Sequence, residues 1–75
     1  MNRTELAALL RSLRVTHGLS QNALAKQMGT SASQIAGVER GDNSPSLDTC
    51  ERWAAAVGWE VVVAFRPAVL LKNTP

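Results

Sequence analysis

Between Gln21 and Gly41 the sequence QNALAKQMGTSASQIAGVERG admits few folds. Two short runs with helical apolar spacing are separated by only Gly29-Thr30-Ser31, so helices placed there must turn sharply on one another. Gly29 supplies the positive φ that such a turn demands. Ser20 is a good N-cap for the first run, whose inward residues are Leu24, Ala25 and Met28. Ser31 with Gln34 is a capping box for the second, which runs to about Arg40. Ala25 falls where the two helices cross, and a larger side chain there would push them apart. Ile35 and Val38 give the second helix its apolar side. The rest of the chain is support for this pair, or a means of joining two copies of it.

Upstream, Asn2 with Glu5 fits a capping-box start, and Leu6, Leu9, Leu10 and Leu13 repeat at helical spacing to give one apolar face. Gly18 is a left-handed stop. The spacing predicts a helix from about residue 3 to residue 16, with His17 in its last turn as a favourable partner for the helix C-terminus. Downstream, Gly41 ends the third helix and residues 42–45 form a polar loop. Ser46 caps a fourth helix from Leu47 to about Val57, with Leu47, Cys50, Trp53, Ala54 and Val57 inward and Gly58 as its stop. Cys50 then reads as a small buried hydrophobe and Trp53 as a core anchor.

After Gly58 the pattern changes. Trp59-Glu60-Val61-Val62-Val63-Ala64-Phe65 is β-branched and aromatic, Trp59, Val61, Val63 and Phe65 alternate onto one face, and Pro67 ends the run. A lone strand leaves its backbone donors and acceptors unsatisfied. The simplest partner is the same strand of a second copy, paired antiparallel about a two-fold axis, which makes Trp59, Val61, Val62, Val63 and Phe65 the expected dimerisation residues. The alternative is that residues 59–65 extend the fourth helix or cover the core, and three consecutive valines disfavour helix. The expected plan is a body over residues 1–58, a dimerisation strand over 59–67 and a tail over 68–75. The tail starts apolar and ends polar, so it packs on the dimer, binds a partner or frays.

At 75 residues the chain makes one domain with a marginal core. A single cysteine excludes an internal disulfide. Cys50 and His17 are the only soft ligands where one metal site needs about four, so no metal and no cofactor is expected. Oligomerisation is the remaining source of added stability. No segment resembles a signal peptide and no apolar run approaches the roughly 20 residues that cross a bilayer. A cytoplasmic protein with no membrane contact is expected. One His and one Cys, both with structural explanations, leave no nucleophile–base set, and this disfavours an enzyme.

The net charge is +2, unevenly placed. Residues 1–41 carry five basic against two acidic side chains, and residues 42–75 carry three against four. The basic half is the one that contains the paired helices, as phosphate binding requires. With Ile35 set at zero and 100° per residue, Val38 and Glu39 share its inward side. Ser33, Gly37 and Arg40 fall opposite with Ala36 beside them, the geometry of a helix-turn-helix that lays its second helix in the major groove. Ser33 can hydrogen-bond a base edge, Ala32 and Ala36 can touch a thymine methyl, and Arg40 can reach a guanine or a phosphate. Gln34 lies to the side, where capping competes with base contact. This face is sparse, so specificity is expected to draw on DNA shape and on half-site spacing. Gln21 at the start of the first helix of the pair and Ser31 at the start of the second are placed for phosphate, with Arg11, Lys26 and Asn43 flanking.

The chain at this point resembles the XRE-type, phage-repressor-like helix-turn-helix family. The resemblance rests on Gly18-Leu19-Ser20-Gln21, Leu24-Ala25, Gly29-Thr30-Ser31, Ile35, Val38-Glu39-Arg40-Gly41, Pro45-Ser46-Leu47, Ala54 and Val57-Gly58, and covers roughly residues 5–60. It implies an all-α, lambda-repressor-like bundle of four or five helices, acting as a dimeric, nucleoid-associated transcriptional regulator on double-stranded DNA. It implies that Gln21 binds phosphate and braces the start of the third helix. Ala32, Ser33 and Gly37 would hold base-reading positions, and Arg14 and Glu39 would form an internal ion pair. Family members often carry long polar residues at positions 32, 33 and 37, and here these are Ala, Ser and Gly. Glu51 stands where an apolar residue is frequent, which suggests that this side is exposed or faces a partner. The expected C-terminal strand is similar to that of a subgroup including toxin–antitoxin repressors.

The leading expectation is a homodimeric, sequence-specific DNA-binding regulator that represses by occupying its operator. The alternative is an antitoxin or anti-activator of the same fold that engages a protein partner through Trp59–Leu71.

Overall fold

The computed structural model describes residues 1–68, within which there are four helices and no strand. They are α1 (Arg3–Thr16), α2 (Gln21–Met28), α3 (Ala32–Arg40) and α4 (Leu47–Ala56).

Each helix begins where a side chain can satisfy free amides. The Asn2 carboxamide accepts from the Glu5 amide at 2.9 Å while the Asn2 amide donates to Glu5 Oε1 at 3.2 Å, which completes the reciprocal box. Ser20, Ser31 and Ser46 accept from the amides of Ala23, Gln34 and Thr49. Gly29 takes φ +71° at the end of α2, and the Thr30 amide returns to the Ala25 carbonyl at 2.9 Å, so the chain reverses within three residues.

The core is Leu10 from α1, Leu24, Ala25 and Met28 from α2, Ile35 from α3, and Cys50 and Trp53 from α4. Trp53 is fully buried, and its indole N–H donates to the Leu10 carbonyl at 2.9 Å, which ties α4 across to α1. The Arg52 guanidinium donates to the Met28 carbonyl at 3.1 Å and satisfies an otherwise open end of α2. Burial pushes the Cys50 thiol up.

Several expectations are corrected. The buried stripe of α1 is Ala7, Leu10 and Arg14, while Leu9 is exposed, because the helix is gripped along one edge of its apolar face rather than at its centre. Leu47, at the first position of α4, is exposed. His17 is the C-cap of α1 rather than part of its last turn. Its Nδ1 lies 2.8 Å from the Leu13 carbonyl, and its ring stands edge-on to Trp59 at 6.4 Å between centroids. The strand expected at Trp59–Phe65 was to pair with a second copy, and in a single copy no ladder forms there among the described residues. Nor do these residues extend α4: Gly58 takes φ +76°, and the Trp59 amide bonds back to the Ala54 carbonyl at 2.8 Å. Val61 packs against the core, whereas Trp59, Val62, Val63 and Phe65 stay exposed, Phe65 at 96%. The expectations for the tail fall on residues 69–75, outside those described.

No helix among the described residues is long and apolar enough to cross a membrane, and no three His, Cys, Asp or Glu side chains there group into a metal site.

Candidate nucleic-acid interface

The orientation of α3 is set from beneath by one apolar and one ionic anchor. Ile35 is buried in the core, and Val38 packs against the same cluster. One turn further, Glu39 receives three donors. Arg14 of α1 grips both carboxylate oxygens, with Nη2 at 2.8 Å from Oε1, and Gln21 Nε2 reaches the same Oε1 at 3.1 Å. The remaining arm of Arg14 donates from Nη1 to the Leu19 carbonyl at 2.7 Å, on the link into α2. Three helices therefore meet at one carboxylate. The bond to Glu39 pushes the Arg14 guanidinium above its ordinary range, against the cost of its burial. For Glu39, burial raises the carboxyl. The bonds from Arg14 and Gln21, with the charges of Arg14 and Arg11, outweigh it and leave the group below the usual glutamate value.

This geometry corrects the bracing role expected of Gln21. Its amide hydrogen-bonds the last turn of α3 through Glu39 rather than the start of that helix. An amide nitrogen carries two N–H donors, so the bond to Glu39 leaves Gln21 with a second one at the start of α2. Ser31 accepts from the Gln34 amide, which leaves its own hydroxyl proton to donate at the start of α3.

With Ile35 and Glu39 below, the opposite side of α3 is open. Ser33, Gln34 and Arg40 are exposed, and Ala32, Ala36 and Gly37 are half-buried. Ser33, Gln34, Gly37, Arg40 and Asn43 line one shallow depression beside α4. Lys26 is exposed in the last turn of α2. Arg11 is less free than its exposure suggests, since its Nε lies 3.9 Å from Glu39 Oε1. Arg40 is not free either: Nε and Nη2 both donate to Asp42 Oδ2, at 3.1 and 3.0 Å. That pairing is invisible on a helical wheel, because Asp42 lies beyond the end of the helix. The one sequence signal for it is a charge two residues past Arg40, across the left-handed Gly41.

A helix-turn-helix family profile matches residues 10–58, which takes in α2, α3 and both anchors. No curated protein sequence matches the chain. Among solved structures, the chain is similar to the clp gene regulator ClgR from C. glutamicum, at 30% identity and a TM-score of 0.74, over 79% of this chain and 76% of that one. The profile runs along the whole length of the two-helix motif turned at Gly29, and the chain belongs to the XRE-type helix-turn-helix family of DNA-binding transcriptional regulators.

Proposed function

We propose that the chain is a homodimeric, sequence-specific repressor that acts from the cytoplasm by occupying its operator. The observation that carries this reading is the division of α3 into a locked side and an open side, with donors at the starts of α2 and α3 flanking the open one. Ala32, Ser33, Gln34, Ala36, Gly37 and Arg40 face the bases. Gln21, Ser31, Arg11, Lys26 and Asn43 serve the phosphates. Small, nearly neutral side chains at most base-facing positions mean that affinity draws heavily on phosphates and on two copies acting together.

The test is fluorescence anisotropy with a labelled random duplex at low salt. Binding is expected there, and its absence would end the regulator reading. Replacing Lys26 with alanine should weaken binding about equally on every duplex and lower the slope of log affinity against log salt by about 1, as loss of one phosphate contact requires.

For the dimer, the support is the exposure of Trp59, Val62, Val63 and Phe65 next to an apolar groove between α1 and α4 that includes Leu9 and Leu47. An antiparallel pairing of two such segments covers these side chains and supplies the missing ladder. A proline at Val62 removes a ladder donor and should halve the mass measured by light scattering. An unchanged dimer mass in that variant would rule out strand pairing. The same exposed residues favour a second reading, an antitoxin or anti-activator that engages a protein through this segment. A toxin-like reading frame beside the gene would support it.

A further inference from the structure

Gly37 occupies the second turn of the open face of α3, where a long polar side chain would be the usual reader. A Cβ built on Gly37 would meet Arg40 Nη2 at 3.7 Å and Asp42 Oδ2 at 3.9 Å. The head group of Arg40 thus lies within van der Waals contact of the Cβ position at Gly37, where a longer side chain would meet it. It is held there from one side. Nε and Nη2 both point at Asp42 Oδ2, so the side-on edge of the guanidinium is occupied and the end-on edge, Nη1 with the second proton of Nη2, remains free.

That free edge is a fork of two parallel donors. In the major groove only guanine presents two adjacent acceptors, O6 and N7; adenine offers one acceptor and one donor, thymine one acceptor and cytosine a donor. The pair is exposed, with side-chain accessibilities of 63% and 50%, so it contributes little to stability and acts on where the arginine points. A carboxylate beside the DNA-facing surface also repels phosphate, which is no help to a protein that only needs to bind the backbone.

We propose that Asp42 is a positioning residue that holds Arg40 across Gly37, and that the pair reads a guanine at one base pair of each half-site. Without Asp42 the guanidinium swings to the nearest phosphate, trading specificity for sequence-independent affinity. This rests on the DNA-binding reading above, and the test separates the two.

The experiment selects duplexes from a random pool with the wild type and with Arg40→Ala, Asp42→Ala and Asp42→Glu. Affinities for the recovered site and for its single-base variants are then measured across a salt series. The wild type should recover a site containing a guanine whose replacement weakens binding by roughly 5- to 150-fold, the range of one bidentate contact. Arg40→Ala should erase the preference at that position and no other. Asp42→Ala should reduce it at least about threefold, tighten binding to unrelated duplex, and steepen the salt slope by about 0.9 as Arg40 takes up a phosphate. Asp42→Glu, which keeps the carboxylate, should restore most of the discrimination. If Asp42→Ala leaves discrimination unchanged at every position, Asp42 has no positioning role. If Arg40→Ala weakens all duplexes alike and flattens the slope by about 0.9, Arg40 is a phosphate contact and the assignment is overturned. Both of those outcomes leave the regulator reading standing, whereas a wild type that binds no duplex at low salt removes both.

Discussion

Glu39→Ala is expected to destabilise the domain by about 3–5 kcal/mol in urea unfolding, the cost of leaving one member of a buried ion pair without its partner. The side chains of Glu39 and Arg14 are only 4% and 10% exposed, so water does not replace the lost carboxylate. A domain of this size holds roughly 4–11 kcal/mol in all, so the single change removes a large share of it. Removing both charges together, as in Arg14→Met with Glu39→Leu, should cost much less than Glu39→Ala alone, because no uncompensated charge remains. Acid should act on the wild type in the same way. Glu39 has its carboxyl lowered on folding, so its contribution is fully present above the ordinary glutamate value of 4.5 and is lost as pH falls through the lower folded value. A Glu39→Gln variant should be less stable at neutral pH and should lose less on acidification. Equal acid sensitivity of the two proteins would show that other carboxylates dominate.

Trp53→Ala is expected to cost a further 3–5 kcal/mol, because it empties the largest fully buried volume in the structure. Trp53→Phe separates packing from the indole bond. It should cost about 1–2 kcal/mol, since much of the volume is kept and the Leu10 carbonyl, inside α1, still has its helical amide partner. Intrinsic fluorescence offers a convenient readout: Trp59 is more than half exposed, so the buried component of the emission belongs to Trp53. If Trp53→Phe proved as damaging as Trp53→Ala, the indole hydrogen bond would outweigh the packing.

The helices were legible because their signals are local. Serine and asparagine caps, left-handed glycines and a 3.6-residue apolar period each act within a turn of the residue that shows them, and all four helices follow them closely. Which residue of an apolar stripe is deepest is not a local property. Leu9 and Leu47 have the right spacing yet lie at the rim, while Ala7 is buried because α1 comes close to its neighbours there. The side-chain network was partly legible. Spacing placed Glu39 on the inward side of α3, but the links from Gln21 to Glu39 and from Arg52 to Met28 join residues 18 and 24 positions apart, which no periodicity encodes. The C-terminal segment shows the opposite limit. Its β-branched and aromatic run describes a strand, but a strand needs a neighbour, and the described residues of one copy supply none.

The depth of the Arg14–Glu39–Gln21 junction has a consequence for how such a protein can change. The groups that hold α3 in place all lie on its underside, and none of them is a residue that would touch a base. The anchoring residues and those of the open face, proposed to read bases, are therefore separate sets of positions on the same nine-residue helix. Ser33, Ala36 and Gly37 can be rewritten without disturbing what anchors the helix, and even a Cβ at Gly37 meets nothing closer than 3.7 Å. A chassis built this way lets new recognition arise by mutation while the fold is inherited unchanged.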